Sequence, residues 1–519
     1  MRFLKRLTPF HKSFLHRSTL VVFLMGAWVA PTEMAWGRRP AADAVSTRVS
    51  APDLTPDAVP APPVTPTPSS VAGLYALGEP DTPIHPTYFE HADLAGVSLR
   101  LSWKALEPQE GVLDTGLLDV EIARAKAADK KVRLRVLPGT TTPDWVYAKG
   151  VASLRWVDPA GVAGGAAGTV SRVPVPWDPE YLAAWTSFIA RLGAHVGGEA
   201  DIVLVHVTGG HSISSTFDRA SGAPPLDTPV TYLDDRGAVT ARGTLADLFT
   251  HAAGYSLGRL RASWAASSDA WAAAFPTAHL AYSVVNDPSL QGDAMDVVNR
   301  IVADAAARYP ARLALQNDGW NDAGSIEKNP ASHAYPILRA YAGTTVTGFQ
   351  SGVPHGTCSG AGASGDLGPF LAVGIYHYGA DYFELDPMEI DQYPDLVQEC
   401  NDFLLGKGQT CGMAGVLLCA MDLLPPTVSI TSPTEGDTVS GEITVTVIAR
   451  DDTLVFDVAL AMDGVPIGPA RSVTYPASAT FHFAFNTAMW PDGPHTLSVI
   501  ARDVSGNAAT LPIHITLQQ

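Results

Sequence analysis

The chain has 519 residues, of which 46% are hydrophobic and 17% charged, and its formal net charge is −18. That length exceeds one typical domain and carries enough apolar material for a sizeable core. The acidic balance argues against nucleic acid and anionic membrane as principal partners, because both select for basic surfaces.

Residues 1–37 have the organisation of an export signal. Arg2, Lys5, Arg6, Lys12 and Arg17 supply a basic region, and Ala35-Trp36-Gly37 a small-x-small cleavage site. Leu20 to Ala30 form the apolar core between them, too short for a membrane span of about 20 residues. An uncleaved N-terminal anchor is the alternative that this segment leaves open. No second apolar run reaches spanning length, so the expected mature protein has no integral membrane domain and is secreted, extracellular or held at the cell surface. Residues 38–70 crowd Pro60, Pro62, Pro63, Pro66 and Pro68 among Ala, Thr, Ser and Val, which is the composition of an extended linker.

From residue 71 strands and helices alternate. Periodicity predicts strands at Gly73–Gly78, Val97–Trp103, Val132–Leu137, Ile202–Thr208, Ala278–Val285, Arg312–Gln316, Thr344–Phe349 and Asp381–Leu385. Helices are predicted at Leu117–Ala128 (entered from Asp114 as N-cap), Pro179–Leu192, Leu245–Ala274, Met295–Tyr309 and Met388–Leu405. Eight βα units across residues 71–424 are what a (β/α)₈ TIM barrel requires, and no glycine-rich phosphate loop follows the first strand to favour a doubly wound sheet.

After Pro425-Pro426 the pattern changes to short alternating strands with no helix. They are predicted at Thr427–Thr431, Glu442–Ile448, Val455–Met462, Ala479–Phe485, His495–Ala501 and Ala509–Leu517, with Asp463-Gly464 as a hairpin turn. Residues 425–519 therefore form an all-β sandwich behind the barrel, and the chain is multidomain.

Two stretches carry a family resemblance. Arg100-x-x-Trp103, then Leu106-Glu107-Pro108-x-Glu110-Gly111, then Leu118-Asp119 at the head of a helix resembles the second βα unit of the clan A glycoside hydrolases, most of all the family-42-type β-galactosidases. TVSITSPTEGDTVSGEITVTVIARDD, closing with VIARDVSGNAA, resembles the bacterial immunoglobulin-like modules of exported enzymes and adhesins. The first resemblance implies a carbohydrate ligand, with an acid/base glutamate at the end of strand four and a nucleophilic glutamate at the end of strand seven.

This chain departs from that pattern. Strand four ends Val207-Thr208-Gly209-Gly210-His211-Ser212 and strand seven ends Gly348-Phe349-Gln350-Ser351, so neither expected glutamate is present. An amide cannot form the glycosyl ester, and glycine offers no proton. The replacements to consider are Glu384 at the end of strand eight and Asp318 at the end of strand six, with Glu79 and Asp287 as further acids. The first two would act as acid and base of an inverting reaction whose carboxyls stand roughly 6.5–9.5 Å apart, with His211 as a supplementary proton carrier. The bland readings are that Glu384 pairs with Arg100 or Arg135 and that Asp318 caps a turn.

Trp103, Trp145, Trp320 and Phe349 fall at or just after strand ends, where a ring face can stack on a pyranose; ordinary packing is the competing role. Arg100 reads as a substrate-side site organiser and Gln350 as a polar contact standing in the nucleophile's place. His206 reads as satisfied core, and Tyr376-His377-Tyr378 as packing on the helix before strand eight. Three functions stay open: a hydrolase with an atypical acid pair, a catalytically inactive glycan-binding barrel, and a surface adhesion protein. No cofactor or metal site is indicated, and a monomer is expected. Asp451, Asp452 and Asp503 read as solvated loop acids more than as a calcium site. The four cysteines match no common zinc spacing, and in an oxidising compartment two disulfides are expected, with Cys411–Cys419 and Cys358–Cys400 the favoured pairing of three.

Overall fold

A computed structural model describes residues 70–157, 168, 170–209, 229–234, 236–244, 247–248, 254–284, 294–320, 334–351, 367–406, 424–451, 455–468, 470–472, 478–503 and 507–518. The signal, the linker, His211, Asp287, Asp452 and three of the cysteines lie outside these residues. The fourth, Cys400, is a free thiol that burial pushes well above its ordinary pKa.

In chain order the first twelve strands are β1 Gly73–Leu77, β2 Gly96–Ser102, β3 Lys131–Leu137, β4 Ser153–Val157, β5 Val170–Pro174, β6 Ile202–His206, β7 Pro229–Leu233, β8 Val239–Thr244, β9 His279–Ser283, β10 Leu313–Trp320, β11 Val346–Ser351 and β12 Tyr382–Leu385. Eight of them close a parallel barrel in the order β1-β12-β11-β10-β9-β6-β3-β2. All eight are the strands predicted from periodicity. β2 is buried along its whole length, as a strand must be when helices cover one face and the barrel interior the other.

The helices take their ends from local chemistry. The helix Pro179–Val196 starts where Asp178 accepts from the amides of Glu180 and Tyr181, with Pro179 at its first position. The helix Leu257–Ala274 is capped by Ser256. The helix Leu367–Tyr378 ends at Gly379, whose φ of 61° is the left-handed conformation that stops a helix. The predicted helix Met388–Leu405 is two helices, Pro387–Gln392 and Pro394–Leu404, because Pro394 has no N–H to continue the first and opens the second. The helix Gly116–Ala127 has Thr115, not Asp114, at its N-cap.

The periodicity also missed an insertion. Strands β4, β5, β7 and β8 form an antiparallel sheet in the order β5-β4-β7-β8, supplied by the long connections after β3 and β6. It has its own small core of Leu154, Trp156, Val173, Val175, Val230 and Leu248. Both connections leave the C-terminal ends of barrel strands, the end at which barrels of this kind carry their sites.

The C-terminal strands are β13 Thr427–Ser432, β14 Thr438–Val439, β15 Glu442–Arg450, β16 Val455–Met462, β17 Val465–Pro466, β18 Arg471–Ser472, β19 Ser478–Asn486, β20 Gly493–Asp503 and β21 Ala508–Leu517. They form one sheet β13-β15-β19 and a second β14-β21-β20-β16-β17, with β18 against β16. The Asp463-Gly464 turn is present, both residues at positive φ (50° and 79°), and it joins β16 to β17. Asp503 is spent on its own loop, accepting from the backbone and side-chain amide of Asn507.

Candidate functional site

The barrel interior is polar. Because side chains alternate along each strand, one set per strand points inward, and here that set includes Arg133 and Arg135 on β3, His206 on β6, Gln316 and Asp318 on β10, and Glu384 on β12. Asp318, Gln350 and Glu384 occupy one row, as cross-strand neighbours on β10, β11 and β12. The two acids thus share one row, with Gln350 between them.

The deeper part of this interior is a closed network. The Arg133 guanidinium lies 3.8 Å from the ring centroid of Tyr382 and 5.2 Å from that of Tyr75, and its Nη1 is 2.7 Å from Glu384 Oε1. Glu384 is 1% exposed. Its Oε1 also accepts from the Ser98 hydroxyl, and its Oε2 from Gln316 Nε2 at 2.7 Å. Gln316 Oε1 in turn accepts from Arg133 and, at 2.9 Å, from the Tyr382 hydroxyl. Every neighbour of the Glu384 carboxyl is a donor, so it serves as an acceptor and ion-pair partner. Its partner is Arg133, not the Arg100 or Arg135 considered from sequence.

The outer part surrounds Asp318. Its Oδ1 accepts from Arg135 Nη2 at 2.9 Å and from Gln316 Nε2 at 2.6 Å, and Ser283 donates to Oδ2. Its side chain keeps 16% exposure, which Glu384 lacks. Arg135 also donates to Gln350 Oε1 at 3.4 Å and contacts His206 Nδ1 at 2.7 Å. Burial, then Arg135 and Arg133, depress the His206 pKa well below the imidazole range, so His206 is a neutral acceptor between two arginines. One amide nitrogen, Gln316 Nε2, is hydrogen-bonded to both acids. It thereby bridges the two carboxylates, which share one amide donor.

The end of strand four is closed by packing. The Thr208 carbonyl accepts from the indole N–H groups of Trp185 and Trp271 and from Ser267, and the Thr208 hydroxyl donates to Val136 O. Gly209 has φ +94°, and a β-carbon there would lie 1.9 Å from Trp185 Nε1. The fold thus excludes any side chain at position 209.

The remaining predicted contacts divide. Arg100 is buried, donates from Nε to Gly78 O at 2.6 Å and reaches Glu79 at 3.6 Å, so it organises the end of β1. Trp103 is a correction: the strand stops at Ser102, whose hydroxyl caps the short helix Trp103–Leu106, and Trp103 is fully buried among Trp145, Tyr181, Trp185 and Phe188. Its ring has no face for a sugar. Trp145 is half-buried, edge-on to Trp103, and donates to Glu107 O. Phe349 is likewise fully buried, stacked on Phe383. Trp320 ends β10, paired with Ser351, and its side chain lies outside what is described, as do those of Tyr376 and His377. Glu107 is itself buried and accepts from Trp103 Nε1, Gly111 N and Arg191, which makes the Leu-Glu-Pro motif a structural staple.

Sequence reasoning missed Arg133 and Gln316; Arg135 was considered as a partner of Glu384, and His206 was read as core, where it lies. The alternation Arg133-Leu134-Arg135 was the available signal. Among the described residues no cluster of three or more acidic, histidine or cysteine side chains could hold a metal ion, and no helix is long and apolar enough to cross a membrane.

Residues 87–220 match the β-galactosidase family of glycoside hydrolase family 42, and residues 426–499 match the bacterial Ig domain. No curated protein sequence matches the chain. Among solved structures it is similar to the endo-β-1,4-mannanase of Thermotoga petrophila, at 13% identity over 87% of this chain and 99% of that one with a TM-score of 0.30. It is also similar to the catalytic domain of β-amylase from Paenibacillus polymyxa, at 11% identity over 64% and 100% with a TM-score of 0.40. The fibronectin(III)-like modules of Clostridium thermocellum CbhA match at 24% identity over 18% of this chain and 46% of theirs, with a TM-score of 0.15.

Proposed function

We propose that this glycoside hydrolase-like TIM barrel, of the family-42 β-galactosidase type and followed by a bacterial immunoglobulin-like domain, is an exported protein that binds extracellular carbohydrate without cleaving it by the two-glutamate route. One observation carries the reading. Where the family resemblance leads one to expect the nucleophile and acid/base, the chain has Gln350 and a Gly209 with no room for a side chain, while Glu384 beside Gln350 is buried with both oxygens engaged. What is left at the row of strand ends is a set of largely buried donors and acceptors (Arg135, Asp318, Gln350), the chemistry that orients hydroxyl-rich ligands.

A second reading is favoured by the exposure of Asp318, the one acid in this row with solvent access: a hydrolase that uses Asp318 in a different scheme. A glycan array probed with the full chain, followed by product analysis on every hit, separates the two. Binding without products, weakened about tenfold or more in Asp318→Asn, is the expected result; a change of that size corresponds to about 1.4 kcal/mol. Products that vanish in Asp318→Asn would establish the hydrolase instead. Absence of binding to any glycan would count against both and move the weight to an adhesion role.

A further inference from the structure

The sandwich has one strand that does not behave like the others. β15, β19 and β20 alternate, with Val445, Val447 and Ala449, Phe481, Phe483 and Phe485, and Leu497, Val499 and Ala501 turned into the sandwich core and their neighbours turned out. β16, with the sequence VFDVALAM, is buried on both faces. Val455, Val458, Leu460 and Met462 belong to the sandwich core, but Phe456, 1% exposed, belongs to the core of the barrel.

A bulge explains how one strand serves two cores. Pairing of β16 with β20 shifts register between Val455 and Asp457, which frees Phe456 from the ladder and redirects it. Asp457 beside it is nearly buried and forms a two-point ion pair with Arg502 of β20, whose Nε lies 2.7 Å from Oδ1. That pair sits within electrostatic reach of Arg339, on the barrel helix Ala334–Tyr341, and of the buried Tyr378, on the helix Leu367–Tyr378. These two helices follow β10 and β11, the strands that carry Asp318 and Gln350.

We propose that the sandwich is a fixed brace of the barrel, its β16–β20 face seated on the helices behind β10–β12, so that the two unfold as one body and the sandwich does not pivot. A buried aromatic and a largely buried ion pair within electrostatic reach of the barrel's own Arg339 and Tyr378 are the features of a permanent contact; a swinging module would need this face to tolerate water.

Calorimetry on the full chain tests this. Wild-type protein is expected to melt in one transition, and Val447→Ala, a truncation inside the sandwich's own core, is expected to lower the midpoint of that whole transition. Phe456→Ser is expected to split it in two and to increase the maximum dimension in small-angle scattering. Two wild-type transitions, with Val447→Ala moving just one of them, would overturn the proposal. So would a Phe456→Ser protein with unchanged dimensions and a single transition. Should Phe456→Ser fail to fold, the Val447→Ala comparison decides alone.

Discussion

Glu384 shows how far burial changes the meaning of a residue. At the end of a barrel strand in a glycosidase-like chain it reads as an acid catalyst; packed against Arg133, Ser98 and Gln316 it balances an interior arginine. Removing one member of a buried pair leaves the other charge uncompensated, at a cost of roughly 3–5 kcal/mol. Glu384→Gln should therefore lower the free energy of unfolding by that order, measured by urea denaturation at neutral pH. A variant of wild-type stability would mean that the pair does not exist in solution. Trp103 was misread, and Arg133 overlooked, for related reasons. Trp103 sits where a strand ends and a four-residue helix begins, a boundary that periodicity does not resolve, so its inward packing on Trp185 was invisible. Arg133 and Arg135 alternate with Leu134 and Val136 as the polar face of a strand would, but in a closed barrel that face is the interior. Glu107, by contrast, was located correctly as part of a motif, although its role is to hold Trp103, Gly111 and Arg191 together.

Among the elements, the end of β6 and the β16–β17 hairpin each allow a sharp test. Gly209 combines a left-handed backbone with the Trp185 ring where a β-carbon would go, so Gly209→Ala should cost more than the roughly 1–3 kcal/mol of backbone strain alone. Gly209→Glu should be worse still and should not create turnover, even combined with Gln350→Glu; an active double variant would show that strand four can accept its acid after all. Against the hairpin turn, His495 of β20 places Nδ1 2.6 Å from Asp463 and Nε2 2.8 Å from Pro491 O, so both ring nitrogens face acceptors. These hydrogen bonds, to Asp463 first, raise the His495 pKa, while the Thr496 amide and then His495 lower that of Asp463. A raised histidine contributes stability that is full below its unfolded value and is lost as pH rises through the folded one. A lowered aspartate contributes stability that is full above its unfolded value and is lost as pH falls through the folded one. The stability difference between wild type and His495→Gln should therefore be largest at mildly acidic pH and shrink as pH rises past neutral. A difference that is flat from pH 5 to 9 would show that the imidazolium has no role. The inserted sheet β5-β4-β7-β8 was not legible because its strands are short and lie inside connections, and the sequence between β4 and β5 is rich in glycine.

For the molecule as a whole, the architecture was the most legible level. Eight parallel strands each had to be apolar enough to be covered twice, and that demand is written over residues 71–385 in a way no single loop could disguise. The site was less legible because function in a barrel depends on which inward positions are polar, and inwardness follows from closure, a property of all eight strands together. Charge also belongs to this level. The interior arginines are matched by acids, Arg133 by Glu384 and Arg135 by Asp318, so these pairs leave the barrel interior nearly neutral and the excess of −18 falls on the rest of the chain. Such a surface repels polyanions over about a Debye length, roughly 10 Å at 0.1 M salt. The full chain should therefore pass unretained through a heparin column at pH 7.5 and low salt, and should not sediment with vesicles of anionic lipid. Lowering the pH toward the pI of about 5.2 removes the net charge, and solubility should fall to its minimum there. Retention on heparin at pH 7.5 that is abolished by added salt would reveal a basic patch strong enough to override the net charge, and would reopen polyanions as ligands.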